Sequence, residues 1–230
     1  MVDTVAVGTR PTGVAITPDG AFAYVTNFLS NDVSVIDTAT NVASDTVAVG
    51  NGPRTLAITP DSAFAYVTNR NSNNVSVIDT ATNTVAAEIN VGIEPHGVAI
   101  TPNGAFAYVT NRLSGTVSVI NTATNSVVAT ITIGSEAHGV AITPNGSFAY
   151  VTNALSNTVS VINAATNMVV ATVTIGDFPT ALAFTPNGAF AYVTNAQSND
   201  VSVINTATNT VVATVAVSGN GTHDVAITPF

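Results

Sequence analysis

The tetrapeptide Tyr-Val-Thr-Asn recurs five times in this chain at a fixed spacing of 42 residues. Its copies begin at Tyr24, Tyr66, Tyr108, Tyr150 and Tyr192. A Thr-Pro pair precedes each copy and occurs a sixth time at Thr228, 43 residues after the fifth pair. Self-similarity at a period of this length is typical of repeat architectures. Composition does not shift between the copies and no linker separates them, so residues 1–230 are predicted to form a single domain.

Each repeat is predicted to contain four short β-strands, here called A to D in chain order. In the third repeat these are Gly97 to Thr101, Ala105 to Asn111, Val117 to Ile120 and Val127 to Ile133. The A and B strands meet at a Pro-Asn-Gly turn, in which proline presets φ and glycine supplies a positive φ. β-Branched residues fill the strands, and no stretch of ten or more residues has helical periodicity.

Apolar or small residues occupy both alternating faces of the strands, which indicates sheets covered on both sides. The chain is 46% hydrophobic and only 7% charged, whereas globular proteins average about 25% charged residues. Sheets stacked face to face around an axis satisfy this requirement, and four strands in about 40 to 45 residues is the size of a β-propeller blade. The fold class is therefore predicted to be all-β, a β-propeller of four-stranded antiparallel blades.

Three segments of the repeat carry a resemblance to a known family. They are Tyr-Val-Thr-Asn, Ser-Val-Ile-Asp/Asn-Thr-Ala-Thr-Asn and Val-Ala-Ile-Thr-Pro-Asp/Asn-Gly. Together they resemble the YVTN family of β-propeller repeats, which occurs in archaeal and bacterial cell-surface proteins, including surface-layer proteins. The resemblance implies that strand A is innermost, and it implies a cell-surface or extracellular location.

The repeats leave incomplete pieces at both ends of the chain. Five complete blades are predicted over residues 12–222, preceded by a D strand and its loop in residues 1–11 and followed by a lone A strand in residues 223–230. Five blades closing with a spare strand at each end, a half-built sixth blade and a fragment of a longer array are all compatible with this count. An unpaired strand edge invites pairing with another chain, so we expect a homo-oligomer formed through the terminal half-blade.

Charge and composition exclude several function classes. A formal charge of −9 leaves no basic surface for nucleic acid or anionic lipid. The absence of cysteine excludes disulfides, thiolate catalysis and Cys-ligated zinc, and the absence of lysine excludes Walker A and Schiff-base chemistry. Despite a mean hydropathy of +0.42, every apolar stretch is too short to span a membrane. The N-terminus has no signal-peptide pattern.

The candidate recognition surface lies on one rim of the propeller, here called the top face and formed by the B–C and D–A loops. Loops held by a rigid scaffold are where binding residues concentrate, and these loops vary while those of the opposite rim barely do. The basic residues all map to the top face, and the tentative ligand-binding set is Arg54, Arg70, His96, Arg112, His138 and His223.

One set of positions on the top face is predicted to surround the mouth of the axial channel. These mouth positions lie five residues before each strand-A threonine and are Thr12, Arg54, His96, His138, Thr180 and His223. His96 and His138 with Glu94 or Glu136 have the residue types of a two-His, one-carboxylate metal site or of a general base with a partner. The competing interpretation, which is favoured, is that the imidazoles are partly buried and bond to loop backbone.

Three functions follow from these observations. The favoured one is a non-enzymatic surface module without a cofactor, which binds a protein or glycan through the top face, because near-identical blades are typical of a structural array. The alternative is a metal-assisted propeller lactonase or lyase that acts at the channel mouth, with His96 or His138 as acid or base. The third is a designed or shortened repeat array that has no native function.

Overall fold

The computed structural model describes residues 4–219 and 221–227, and it confirms an all-β fold. Twenty strands form five four-stranded antiparallel sheets, here blades 1 to 5. Blade 1 contains β1 (Pro11–Ile16), β2 (Phe22–Asn27), β3 (Asp32–Asp37) and β4 (Val42–Ala48), and blade 2 contains β5 (Pro53–Ile58), β6 (Phe64–Asn69), β7 (Asn74–Asp79) and β8 (Thr84–Asn90). Blade 3 contains β9 (Pro95–Ile100), β10 (Phe106–Asn111), β11 (Thr116–Asn121) and β12 (Ser126–Thr132). Blade 4 contains β13 (Ala137–Ile142), β14 (Phe148–Asn153), β15 (Thr158–Asn163) and β16 (Met168–Thr174), and blade 5 contains β17 (Pro179–Phe184), β18 (Phe190–Asn195), β19 (Asp200–Asn205) and β20 (Thr210–Ala216).

Strand order places the first strand of every blade on the inside, as predicted. The inner strands β1, β5, β9, β13 and β17 contact one another in sequence, whereas the outermost strands of adjacent blades barely meet. Strand order follows the chain in every sheet, so each blade is an up-and-down meander. No helix in the described part of the chain has the length and apolar character of a membrane span.

Two kinds of turn close each blade on the side opposite the top face. At the A–B turn of blade 1, the Thr17 hydroxyl accepts from the Phe22 amide at 3.0 Å and Gly20 has a φ of 75°. At the C–D turn, the Asp37 carboxylate accepts from the amides of Ala39 and Thr40, and Asn41 follows with a φ of 55°. Aspartate, asparagine and glycine supply these bonds and positive φ values at low cost, which is why the turns barely vary.

The core is divided into four compartments, each enclosed between two adjacent blades. Between blades 1 and 2, one face of blade 1 contributes Tyr24, Val33, Val35 and Val47, and the facing side of blade 2 contributes Leu56, Ala65, Val67 and Ile78. The equivalent residues fill the other three compartments. Both faces of blades 2 to 4 are therefore covered, which accounts for the high apolar fraction and low charge of the chain.

The polar residues of Tyr-Val-Thr-Asn join structure within and between blades. In blade 2 the Tyr66 phenol donates to Oδ1 of Asn125 in the next blade at 2.7 Å. The Thr68 hydroxyl donates to the His96 carbonyl, also in the next blade, at 2.9 Å. Asn69 Nδ2 donates to the Ser76 hydroxyl within its own sheet at 2.8 Å. Buried polar groups must find hydrogen-bond partners, so this pattern explains why the motif recurs unchanged.

The terminal segments differ from the prediction. Residues 4–7 and 221–227 form no β-strand, although a D strand and an A strand were expected there. The physical reason is that the described residues supply no B and C strands that would join these two segments in one sheet. Residues 1–3, which precede the D strand predicted at Thr4 to Val7, and residues 228–230 of the predicted A strand lie outside the described part of the chain.

Candidate functional site

The mouth positions line a single cavity of about 500 Å³ at the top of the axial channel. Cavities of this size are typical of small-molecule sites. Its walls include Thr12, Arg54, His96, His138, Thr180 and His223. Arg54, His96 and His138 are the second residues of the inner strands β5, β9 and β13. They therefore stand on the rigid part of the scaffold, and not in the loops where they were expected.

Inter-blade hydrogen bonds fix the backbone of this ring. Thr110 donates from its hydroxyl to the His138 carbonyl at 2.6 Å, and Thr55 and Thr68 both donate to the His96 carbonyl. Gly97 is required for this approach, because a Cβ there would lie 2.6 Å from the His138 carbonyl oxygen. The carbonyls point between the blades, so the side chains of the mouth positions are left to face the channel.

The two imidazoles stack at the mouth. The ring centroids of His96 and His138 are 4.5 Å apart with an interplanar angle of 28°. The rings of His138 and Phe178 meet edge to face, with their centroids 5.5 Å apart. Arg54 donates from Nε to His96 Nε2 at 3.1 Å. Because that nitrogen accepts, the proton of the neutral His96 ring is on Nδ1. Neither Phe178 nor Thr55 was identified from the sequence.

Burial keeps both histidines uncharged at neutral pH. Burial lowers the pKa of His138 to about 4, assisted by the charges of Arg112, Arg54 and Arg70. Burial, together with His138 and Arg54, holds the pKa of His96 well below its usual value. The Nε2 atom of His138 is buried and makes no hydrogen bond within the described residues. It lies 3.8 Å from Glu136 Oε2, which is beyond hydrogen-bond length.

Arg70 and Arg112 lie outside the cavity, in a chain of ion pairs that runs along the top face. Glu94 Oε2 accepts from Arg70 Nη2 at 2.8 Å and from Arg112 Nη1 at 2.7 Å. Arg112 Nη2 donates to Glu136 Oε1 at 2.5 Å. Burial alone would raise the pKa of Glu94, but the hydrogen bonds from Arg112 and Arg70 outweigh it and the pKa is lowered. These four residues therefore form a charge-balanced network.

Glu94 and Glu136 belong to a set of positions with a left-handed backbone, here called the rim positions. They lie two residues before the mouth positions and all have positive φ, and they are Arg10, Gly52, Glu94, Glu136, Phe178 and Gly221. A non-glycine residue in this conformation costs about 1–2 kcal/mol. Two of the six are glycine, which adopts a positive φ at the lowest cost. These two glycines at the same position of the repeat were the sequence signal that could have revealed this ring. The other four side chains are held at that cost, as is common at functional sites.

The proposed metal ligands do not assemble into a metal site. Among the described residues, no group of three or more His, Asp or Glu side chains is placed to hold a metal ion. Both glutamates bind arginine, and His96 Nε2 accepts from Arg54. Four of their possible ligand atoms are therefore not available to a metal, because Glu94 Oε2, Glu136 Oε1 and His96 Nε2 bind arginine and His138 Nε2 is buried.

Arg54 is an arginine of the cavity wall whose terminal nitrogens are not engaged by the described residues. Arg70 and Arg112 pair with carboxylates, and Arg10 lies over the Phe28 ring at 4.8 Å. Within the described part of the chain, the terminal nitrogens of Arg54 make no hydrogen bond or ion pair. Burial and the charges of Arg70, Arg10 and Arg112 lower the pKa of Arg54. The guanidinium therefore stands without an ion pair in a cavity wall that also includes Asp224.

Comparisons with known proteins agree with this architecture. A family model described as YNCE-like β-propeller matches residues 4–105. A chain of the hydrazine synthase of Kuenenia stuttgartiensis superposes with a TM-score of 0.72 at 20% identity, covering 97% of this chain and 91% of that one. A functionally unknown protein from Desulfotomaculum acetoxidans superposes with a TM-score of 0.80 at 21% identity, covering 91% of this chain and 71% of that one.

At these identities the likeness to solved structures shows the fold alone. No curated protein matches the chain in sequence. A second family model, described as lactonase, 7-bladed β-propeller, matches residues 80–218, which is more than half of the chain. The chain therefore belongs to the β-propeller lactonase family that this model describes.

Proposed function

We propose that this protein is a non-enzymatic binding module that takes a carboxylate-bearing glycan at the channel mouth. The observation that carries the proposal is Arg54, a half-buried guanidinium that makes no ion pair with the described residues and lies in the wall of a cavity of about 500 Å³. Arginine matches a carboxylate with two parallel hydrogen bonds. An incoming carboxylate would offset both the burial of this charge and its repulsion from the neighbouring arginines.

The top face favours a glycan over an extended peptide. A peptide bound by strand addition needs free backbone groups, but D–A loop amides already donate to side chains of the B–C loops of the blades before and after them. Examples are Ile93 to Ser114 Oγ at 2.7 Å and Glu94 to Asn73 Oδ1 at 2.9 Å. Recognition is therefore left to guanidinium, imidazole and hydroxyl groups, which suit the carboxylate and hydroxyls of a uronic acid.

The resemblance of the repeats to YVTN proteins supports a place at the cell surface, where acidic glycans are available.

The experiment that tests the proposal is a calorimetric titration of the purified chain with trigalacturonate, with maltotriose as the neutral control and an acidic tripeptide as the competing class. We expect saturable binding of trigalacturonate alone. Equal binding of the tripeptide would reassign the partner to a protein, and absence of binding to all three would refute the proposal.

Lactone hydrolysis is the second candidate, and membership of the lactonase family favours it. The geometry does not, because His96 Nε2 is bonded to Arg54 and His138 Nε2 is buried. Neither imidazole therefore presents that nitrogen to a substrate as a general base. Hydrolysis of δ-valerolactone that is lost in a His96→Asn, His138→Asn double variant would establish the enzyme in place of the binding module.

A further inference from the structure

The back of blade 5, which is its face away from blade 4, is more exposed than the same face of the other blades. The front of blade 1, which is its face away from blade 2, is likewise more exposed than the faces that meet a preceding blade. On the back of blade 5, Val215 is 50% exposed, whereas its equivalents in the first four blades are 5–7% exposed. Those equivalents are Val47, Ile89, Ile131 and Val173. On the front of blade 1, Val14 is 67% exposed, whereas the equivalent Leu56 is 9% exposed.

The hydrogen bonds that cross each blade boundary are also left incomplete at these two faces. Four tyrosines donate to an asparagine in the C–D turn of the following blade, and these pairs are Tyr24 with Asn83, Tyr66 with Asn125, Tyr108 with Asn167 and Tyr150 with Asn209. Within the described residues, Tyr192 has no such acceptor. Asn41 has the same turn conformation as the four acceptors, with a φ of 55°, but receives no tyrosine.

The segment 221–227 marks the inner edge of the gap between these two faces. Thr180 donates from its hydroxyl to the carbonyls of Thr222 and His223 at 3.2 Å. Thr12 donates in the same way to the carbonyls of Pro53 and Arg54 in blade 2. His223 therefore takes the mouth position of a sixth blade, and Asp224 shares a cavity with Thr12 and Val14 of β1.

The entry into blade 1 marks the outer side of the same gap. The Thr9 amide donates to Ser30 Oγ at 3.0 Å, as the Ile93 amide does to Ser114 at the equivalent position of blade 3. The chain thus enters blade 1 in the way that each D–A loop enters its blade. Between the inner and outer segments the described residues supply no B or C strand, so the gap is bounded by two apolar faces.

We propose that this gap accepts a two-stranded β-hairpin of a partner protein that has the B and C strand pattern of this repeat. The tyrosine of such a hairpin would donate to Asn41, and the asparagine of its C–D turn would accept from Tyr192. Its small and β-branched residues would cover Val215 on one side and Val14 on the other. The four buried boundaries are the template, because each joins the same two surfaces through the same hydrogen bond.

A labelled peptide with the sequence of residues 190–209 tests the proposal, because it contains both strands and the turn asparagine. We expect saturable one-to-one binding by fluorescence anisotropy, and a binding about five-fold weaker for the peptide with phenylalanine in place of its tyrosine. A scrambled peptide is the control for non-specific β association. Equal affinity of the scrambled peptide would overturn the proposal.

Two protein variants locate the binding site. Val14→Asp and Val215→Asp place a charge on each face of the gap, and because both residues are largely exposed neither change disturbs a packed core. Each should weaken peptide binding at least ten-fold, while Val212→Asp, on an exposed part of β20, should not. Sedimentation tests whether a second copy of this chain occupies the gap instead. Self-association that both variants abolish and the peptide fails to compete with would show that a second copy of the chain fills the gap, and would overturn the proposal.

Discussion

The phenol of Tyr66 donates a 2.7 Å hydrogen bond to Oδ1 of Asn125, which lies 59 residues later in the next blade. Asn125 closes a C–D turn with a φ of 50°, so one contact ties the middle of one sheet to the turn of its neighbour. The same relationship recurs at every boundary between complete blades. The repeat length is thereby fixed, because a change in either blade would misalign the phenol and the turn.

Tyr66→Phe should destabilise the protein and Tyr192→Phe should not. The first change removes the bond to Asn125 and leaves a half-buried acceptor unpaired, which costs about 1 kcal/mol. The second removes a hydroxyl that has no partner among the described residues. Urea denaturation of the two variants beside the parent protein measures the difference. Equal losses would show that the ring of the tyrosine, and not its hydroxyl, stabilises the blade boundary.

The A–B turns offer a matched pair of substitutions. Ser62 has a φ of 63°, at a position where the other four blades have glycine, for example Gly104 with a φ of 72°. Because a side chain is disfavoured in this conformation, Ser62→Gly should stabilise the protein and Gly104→Ser should destabilise it, each by about 1 kcal/mol. The urea midpoints of the two variants should move in opposite directions. A shift of the same sign in both would contradict the argument.

The pH dependence of stability should report the buried histidines. Burial lowers the pKa of His138 to about 4, whereas in the unfolded chain it titrates near the usual value of about 6.5. Between these values the unfolded state binds more protons, so the free energy of unfolding is greatest above pH 6.5 and decreases as the pH falls towards 4. The loss for His138 is on the order of 2–3 kcal/mol.

His138→Asn is the control, because it removes this titrating group and should reduce the slope between pH 5 and pH 7, while His96 still contributes to it. Aspartate and glutamate side chains contribute little in that window, since their usual pKa values lie near 4. Urea midpoints measured at four pH values are sufficient. An unchanged slope in the variant would mean that His138 does not titrate with a lowered pKa.

Much of the fold follows from the sequence because the repeat supplies the same evidence five times. The B strand predicted at Ala105 to Asn111 is observed at Phe106–Asn111, and the D strand predicted at Val127 to Ile133 is observed at Ser126–Thr132. Turn residues and strand alternation are local features, so they can be recognised before the tertiary structure is known. The terminal strands were not predictable in this way, because a strand needs a neighbour and not only a propensity.

The site was predictable in position but not in bonding. The spacing of the repeats indicated that His96 and His138 are neighbours at the mouth, and the structure places them there. The spacing could not indicate that Arg70 reaches Glu94, or that Arg54 bonds to His96, because these contacts depend on side-chain conformations across blade boundaries. The left-handed backbone of the rim was also hidden, since arginine, glutamate and phenylalanine occupy most of its positions.

The proposed carboxylate site is tested most directly by calorimetric titration of three proteins with trigalacturonate. The three proteins are the parent chain, Arg54→Gln and Arg10→Gln. Arg10 is the matched control, because it is a top-face arginine that lies over Phe28 and outside the cavity. Loss of a charged hydrogen-bond donor should weaken binding about 30-fold in Arg54→Gln and change it less than two-fold in Arg10→Gln. Equal affinity in all three proteins, or equal weakening in both variants, would contradict a carboxylate site built on Arg54.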